Sequence, residues 1–312
     1  MIVVRLFGVL AILLVISFLT FSLVYLAPGD LVKNLLGNRP ASPEAVAAIR
    51  AQYHLDDPFL LRYLDWLGSA IRGDFGQSIR LQQPVSTVIG DRLPNTLALV
   101  ALAFLIALAT AIPLGILSAA REGRFSDSLA SLLSLIGLSA PSFAIALLLL
   151  YVFATLLPIF PAYGAGSGGF DTLWHLVLPA VALAAGIGAI LMRLTRAALL
   201  RELQSDATTF ARARGLREAD VQVAALRAAA IPIVTSAGLV LTFIVGGTII
   251  VESVFALPGL GSLLQQAVQF KDLPVVQALT LLIAAVIAVI TILIDLSYLV
   301  LDPRVRAKGL NR

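Results

Sequence analysis

Six stretches of about 20 or more mostly apolar residues recur along this chain, long enough to cross a membrane. They run roughly over Phe7–Ala27, Thr96–Ala120, Leu129–Leu157, Leu176–Leu194, Ile233–Val254 and Val275–Leu301. None carries Lys or Arg except at its ends. Inside hydrocarbon every backbone amide must be satisfied by the protein itself, which leaves helices or a closed barrel. The stretches lack the alternating pattern of barrel strands, so helices are expected. Composition agrees. Of 312 residues, 59% are hydrophobic and 13% charged, against about 45–50% and about 25% in soluble domains. With 22 basic and 18 acidic residues there is too little charge to cover a soluble surface of this size. Disorder is excluded for the opposite reason, since it needs low hydrophobicity and high charge.

The first stretch exceeds the ~7–15 residues of a signal-peptide core. Its end, Leu26-Ala27-Pro28-Gly29-Asp30, offers no small-x-small cleavage site, so a retained span is expected. Basic residues then set the orientation. With the N-terminus inside, 14 of the 22 Lys and Arg fall in inner segments. Seven of the eight outer ones lie in one long loop, Pro28 to about Asn95, and loops of that length are largely exempt from the rule, which counts loops up to ~60 residues. Both termini are therefore expected inside. A pI near 9.7 could suggest nucleic acid, but the net charge is only +4, and its placement reflects topology.

The long outer loop carries helix signals. Ser42-Pro43-Glu44 reads as a helix start, and Asp57-Pro58 repeats the signal before Phe59–Ile71. Leu60, Leu64, Leu67 and Ile71 share one helical face. Gly73-Asp74-Phe75-Gly76 is a turn. A small helical cap is expected, either a plug over the bundle or a docking surface for an external partner.

The inner loop from Arg193 to Ile231 holds seven arginines against Glu202, Asp206, Glu218 and Asp220. Ser205 or Asp206 can cap a helix through Thr209–Arg214, and Gly215 can end it. A second helix is expected from Arg217-Glu218 to Ile231, with Pro232 opening the fifth span. A solvated positive loop needs neither paired helices nor an aromatic at Phe210, so docking of a cytosolic partner is the better reading.

Within the spans, Pro113, Pro141 and Pro179 are expected to bend helices, Pro141 above all because its stretch is overlong. Ala182 and Gly186, Ala185 and Ala189, and the pair Gly246-Gly247 would let helices approach closely. Glu252 and Asp295 lie near span ends, where structural pairing is favoured over a proton relay. No phosphate-binding G-x-x-x-x-G-K-[ST], no H-E-x-x-H and no G-x-S-x-G occurs. There is no cysteine, and His54 and His175 alone do not make a zinc site. Nothing in the sequence orients Ser167 and His175 as a nucleophilic pair. Passage rather than chemistry is the expected function.

Several segments share a resemblance. Phe210-Ala211-Arg212-Ala213-Arg214-Gly215-Leu216, followed by Ala225-Leu226-Arg227 and Ile231-Pro232, resembles the coupling-loop signature of ABC importer permeases, and more narrowly their dipeptide/oligopeptide/nickel branch. Further matches are Leu26–Asp30, Gly73–Ser78, Arg92-Leu93-Pro94-Asn95-Thr96, Ser139-Ala140-Pro141-Ser142-Phe143, His175–Pro179, Glu252–Gly261 and Leu301–Arg306. They follow one another in order over nearly the whole chain. The broader signature opens with Glu-Ala-Ala, where this chain has Thr209, Phe210 and Ala211, so no glutamate contact to an ATPase carries over.

The resemblance implies an all-α polytopic membrane protein of six transmembrane helices, with the type I ABC importer permease fold and a helical extracytoplasmic loop between helices 1 and 2. The segments would be an N-terminal helix (1–27), the outer loop (28–95), a core transmembrane domain (96–301) with its coupling loop at about 201–231, and a cytoplasmic tail (302–312). It implies a multi-pass protein of the bacterial plasma (inner) membrane. It further implies a second, homologous and different permease subunit, two ATP-binding cytosolic subunits or a fused one, an extracytoplasmic substrate-binding protein, and surrounding membrane lipid. ATP and Mg would sit on the partner subunits, with no cofactor, metal or catalytic residue on this chain. Phe210, Ala211, Arg212, Ala213, Arg214, Gly215 and Leu216 would couple to the ATPase. Phe210 would be the anchor, Arg212 and Arg214 polar contacts, and Gly215 the helix end. Peptides are the expected cargo, with nickel or glutathione as alternatives. A stand-alone secondary transporter or channel is the alternative from another class, but it would call for mid-membrane charges and inverted repeats that the sequence does not display.

Overall fold

The computed structural model describes residues 2–26, 42–43, 46–47 and 56–301. Most of the Leu26–Asp30 motif, Glu44 of the first loop-helix signal, His54 and the tail from Asp302 onward lie outside the described residues. At that first signal, Val46 N–H donates to Ser42 O at 3.0 Å, a helical turn where one was expected.

Among the described residues the chain is helical, apart from one isolated bridge between Gln77 and Pro84. The helices are α1 (Ile2–Leu26), α2 (Phe59–Ile71), α3 (Val85–Ala120), α4 (Phe125–Ser139) and α5 (Ser142–Leu149), which continues as a π-helical turn (Leu150–Leu156). Then come α6 (Gly169–Leu203), α7 (Asp206–Ala213), α8 (Glu218–Val254), α9 (Leu260–Gln269) and α10 (Leu273–Leu301). Four of them, α3, α6, α8 and α10, are long and apolar enough to cross a membrane, and the bent α4–α5 pair makes a fifth. The described apolar part of α1 is shorter, Phe7–Ser22. The six expected stretches thus become four continuous helices, one bent pair and α1.

The third stretch bends at Pro141, as expected, and the bend is a full break. Its two helices meet at 102°. Pro141 has no N–H to donate and pushes its predecessor out of the helical region. Ala140 is accordingly extended (φ −86°, ψ 123°), and α5 restarts on Pro141. Pro113 and Pro179, by contrast, sit inside unbroken helices. Pro232 does not open a new helix either. It lies inside α8, which runs from Glu218 to Val254 without a break.

The chain divides into two compact units, residues 1–94 with 263–288, and residues 95–262 with 289–312. The second has α6 at its centre. Leu176, Ala180, Leu183, Ala184 and Leu191 are buried in one cluster with Leu99, Ala103 and Ala107 of α3 and Val240, Ile244 and Val251 of α8. Small residues set the spacing. A methyl group on Gly115 of α3 would meet Met192 O at 2.7 Å and Thr195 Cβ at 2.8 Å on α6. One on Gly137 of α4 would meet Ala189 Cβ at 3.1 Å and Ala185 O at 3.2 Å. Of the Gly246-Gly247 pair, Gly247 makes the close approach, facing Leu183, and Gly246 has open space.

In the first unit, α2 packs on α1. Its N-cap is Pro58, one residue after the Asp57 expected there. The packed face is aromatic. Tyr63 is the buried residue, stacked with Trp66 and set edge-on to Phe18, while Phe59 meets Phe18 and Phe21. The leucine face of Leu60, Leu64 and Ile71 is exposed. Aromatic rings outcompete leucines here because they combine large area with edge-to-face geometry.

Candidate functional site: the helix pair between α6 and α8

The short helix α7 is closed at both ends by its own sequence. Ser205 is the N-cap, its Oγ accepting from Thr208 N–H at 3.4 Å. Its hydroxyl donates to Glu202 O at 2.7 Å, and the buried Thr208 hydroxyl donates to the same carbonyl at 2.6 Å. These bonds fasten α7 to the last turn of α6. At the other end Gly215 adopts φ +79°, a conformation that glycine tolerates best. Gly215 N–H donates to Arg212 O at 2.9 Å, and Leu216 N–H to Ala211 O at 3.2 Å. The chain then turns directly into α8.

Arg212 is not a free surface contact. Its guanidinium makes a two-pronged bond to Glu218, the first residue of α8, at 3.0 and 2.9 Å. Its third nitrogen donates to Leu203 O at 3.1 Å, the last residue of α6. One side chain therefore ties three helices together. Glu218 precedes the apolar part of α8, and the arginine holds its carboxyl below the usual glutamate range. Arg212 in turn is held above its ordinary value by that bond. Phe210 points away from this clamp, 71% exposed. Ala213 and Arg214 are exposed beside it, Ala211 is half-buried, and Leu216 is exposed past the turn. An exposed phenylalanine on a helix that is rigidly held from behind is suited to insertion into a partner's pocket.

A second network shares α6 with the first. Arg196 of α6 donates to Asp127 of α4 at 2.7 and 2.8 Å. Ser118 of α3 donates to the same carboxylate at 2.6 Å, and Gly123 N–H at 3.0 Å. Asp127 is buried and Arg196 half-buried. In the sequence Arg196 counts only toward the positive loop, and no spacing rule relates it to Asp127, 69 positions away.

The remaining sequence signals resolve into structural roles. Glu252 is buried and accepts from Thr96 Oγ1 at 2.6 Å and Ser262 N–H at 2.9 Å. Leu260 N–H donates to Thr96 Oγ1 at 2.7 Å, and the Asn95 amide to Pro258 O at 3.0 Å. Two motifs read separately, Arg92–Thr96 and Glu252–Gly261, are thus one junction. Asp295 is half-buried near the end of α10. The Ser167 hydroxyl donates to Asp171 at 3.0 Å, while the His175 ring bonds Asp171 O at 2.9 Å. Asp171 holds both residues, and the serine has the carboxylate, not the imidazole, as its partner. In the turn Gly73–Gly76, Gly76 N–H donates to Asp74 at 2.9 Å, with Gly73 and Gly76 both at positive φ.

Comparison with known proteins follows the same residues. The family "binding-protein-dependent transport system inner membrane component" matches residues 111–307, and the N-terminal part of that membrane component matches residues 1–100. A putative peptide permease of Brucella ovis is 41% identical over 305 residues, covering 95% of this chain and 96% of the relative. A glutathione transport system permease of Escherichia coli K12 is 35% identical, covering 97% and 98%. Among solved structures, a chain of the MetNI methionine ABC transporter in inward-facing conformations aligns with a TM-score of 0.55 at 20% identity. That alignment covers 69% of this chain and 96% of the other.

Proposed function

Since this chain belongs to the family of binding-protein-dependent transport inner-membrane components, and is therefore the permease of an ATP-driven importer, we propose that its cargo is a short peptide and that ATP-driven motion enters it through Phe210–Leu216. It is a multi-pass protein of the inner membrane with an all-helical permease fold. The peptide reading is supported by the names of its relatives, including the glutathione permease, whose cargo is itself a small peptide.

The observation that carries the coupling assignment is the exposed Phe210 on a helix clamped by Arg212 to both α6 and α8. We place two cytosolic ATPase subunits, or a fused one, on this side of the membrane, with Phe210 in a groove of the nearer one and Arg214 at its rim. ATP and Mg belong to those subunits. A second, related permease completes the pathway, and an external binding protein delivers the peptide. When ATP closes the ATPase pair, the groove carries α7 with it. The Arg212 bonds to Glu218 and Leu203, and the Ser205 and Thr208 bonds to Glu202, pass that displacement to α8 and α6 together. Both helices run without a break through the apolar layer, so they turn as rods and exchange access between the two faces. ATP can drive this only by binding the two states unequally.

The test is reconstitution of the chain with its ATPase subunits, companion permease and binding protein in vesicles. Peptide uptake and peptide-stimulated ATP hydrolysis are both measured. Phe210→Asp is expected to abolish uptake while the complex still extracts as a folded assembly. Unchanged uptake in that variant refutes the coupling site, and uptake by the chain alone under an ion gradient refutes the importer mechanism.

A further inference from the structure

The helix α2, in the long loop read as a cap or docking surface, has three distinct faces. At about 100° per residue, Phe59, Tyr63, Trp66 and Ala70 fall on one side, Leu60, Leu64, Leu67 and Ile71 on a second, and Arg62, Asp65 and Ser69 on a third. The leucine and polar faces are nearly opposite. The aromatic face is occupied by α1. The leucine face is not, with Ile71 at 79%, Leu60 at 60% and Leu64 at 52% exposure.

The level at which α2 meets α1 decides what covers that face. Tyr63 Oη and Ser17 Oγ share a hydrogen bond of 2.7 Å, and Tyr63 also reaches Leu14 O at 3.4 Å. Phe18 and Phe21 complete the contact. All four α1 residues lie inside its apolar stretch Phe7–Ser22. α1 around the contact is itself outward-facing and apolar, with Leu10, Val15 and Leu19 exposed. The hydroxyls of Tyr63 and Ser17 satisfy each other, as burial away from water requires.

We infer that α2 lies in the membrane surface on the side where α1 ends, its leucine face sunk among the acyl chains and its Arg62–Asp65–Ser69 face toward the headgroups. An amphipathic helix with opposed polar and apolar faces binds a bilayer in this way, its apolar face about 5–10 Å into the headgroup–acyl boundary. A helix held against α1 at that level places its free apolar face in the same layer as Leu10, Val15 and Leu19. Lipid is thus the occupant of the exposed leucines, and α2 is an anchor flanking α1.

The chain has no cysteine, so single nitroxide labels can be placed without background. The importer complex is reconstituted in phosphatidylethanolamine–phosphatidylglycerol vesicles with labels at Leu64→Cys, Ile71→Cys, Asp65→Cys and, on α1, Leu10→Cys. Relaxation by oxygen, which concentrates in lipid, is compared with relaxation by a water-soluble nickel chelate. The labels at 64 and 71 are expected to respond to oxygen several-fold more than to the chelate, as the label at 10 does, with the order reversed at 65. Chelate access at 64 and 71 equal to that at 65 overturns the inference and puts the leucine face in water. Shelter from both reagents at 64 and 71 also overturns it and assigns that face to a protein partner. A label at 10 outside lipid overturns the membrane placement of α1 itself, and the inference with it.

Discussion

At the scale of single residues, two buried carboxylates bind separate helices together. Glu252 accepts from a hydroxyl and a backbone N–H. Asp127 has a guanidinium as well as a hydroxyl and a backbone N–H. Arg196→Met leaves the Asp127 charge buried without its counter-ion and is expected to destabilise the protein by about 3 kcal/mol, the usual cost of breaking a buried pair from one side. Adding Asp127→Asn removes the orphaned charge and should recover much of that loss. Thermal unfolding of the detergent-solubilised permease reads both values; a double variant no more stable than Arg196→Met would show that no orphaned Asp127 charge caused the loss. At the other site, a methyl group on Gly259 would fall on the Glu252 carboxylate. Gly259→Ala is expected to cost about 1–3 kcal/mol through overpacking, read in the same assay, whereas Gly246→Ala, with open space around it, is expected to cost much less.

At the scale of elements, what the sequence revealed depended on how local the cause was. The ends of α7 were legible because Ser205 and Gly215 act on backbone within a turn of themselves. The existence of α2 was legible from its spacing, but not its packed face, since leucines and aromatics both recur at helical intervals and only α1 decides between them. Proline was a weak guide. Pro141 ends a helix, while Pro179 continues one in which it is buried with Leu176, Leu178 and Ala180. Neighbours hold α6 together at a position where propensity alone would break it. The Arg212–Glu218 clamp was hidden because it spans the turn between two helices, where no periodicity links the pair. Its pH behaviour follows from the bond. Glu218 is held below its ordinary value, so the stabilisation is complete above the unfolded carboxylate's pKa and is lost as pH falls through the lower folded value. At neutral pH both partners are charged. Glu218→Gln is therefore expected to imitate the acid state at pH 7, lowering peptide imported per ATP hydrolysed with little change in thermal stability. An unchanged ratio would show that the clamp transmits no force.

At the scale of the molecule, the exposed apolar side chains carry the topological argument. Leu97 and Leu105 on α3, Leu239, Phe243 and Ile250 on α8 and Leu293 on α10 are all exposed. In water such a surface would drive aggregation, but in a membrane lipid covers it, and helices associate there by packing rather than by hydrophobic exclusion. By the distribution of basic residues, the arginine-rich α7 with Arg214 is expected in the cytosol, and the loop between α1 and α3 that holds Asp65 and Asp74 is expected outside. A membrane-impermeant maleimide tests that assignment directly, since the natural chain contributes no thiol. Asp74→Cys in the outer turn is expected to react in intact spheroplasts, and Arg214→Cys only in inverted vesicles or after permeabilisation. In assembled complex the Arg214→Cys label is further expected to be slowed by the ATPase subunits and restored when they are stripped away. Reaction of Arg214→Cys from outside intact spheroplasts would invert the topology and remove the route by which ATP reaches α7.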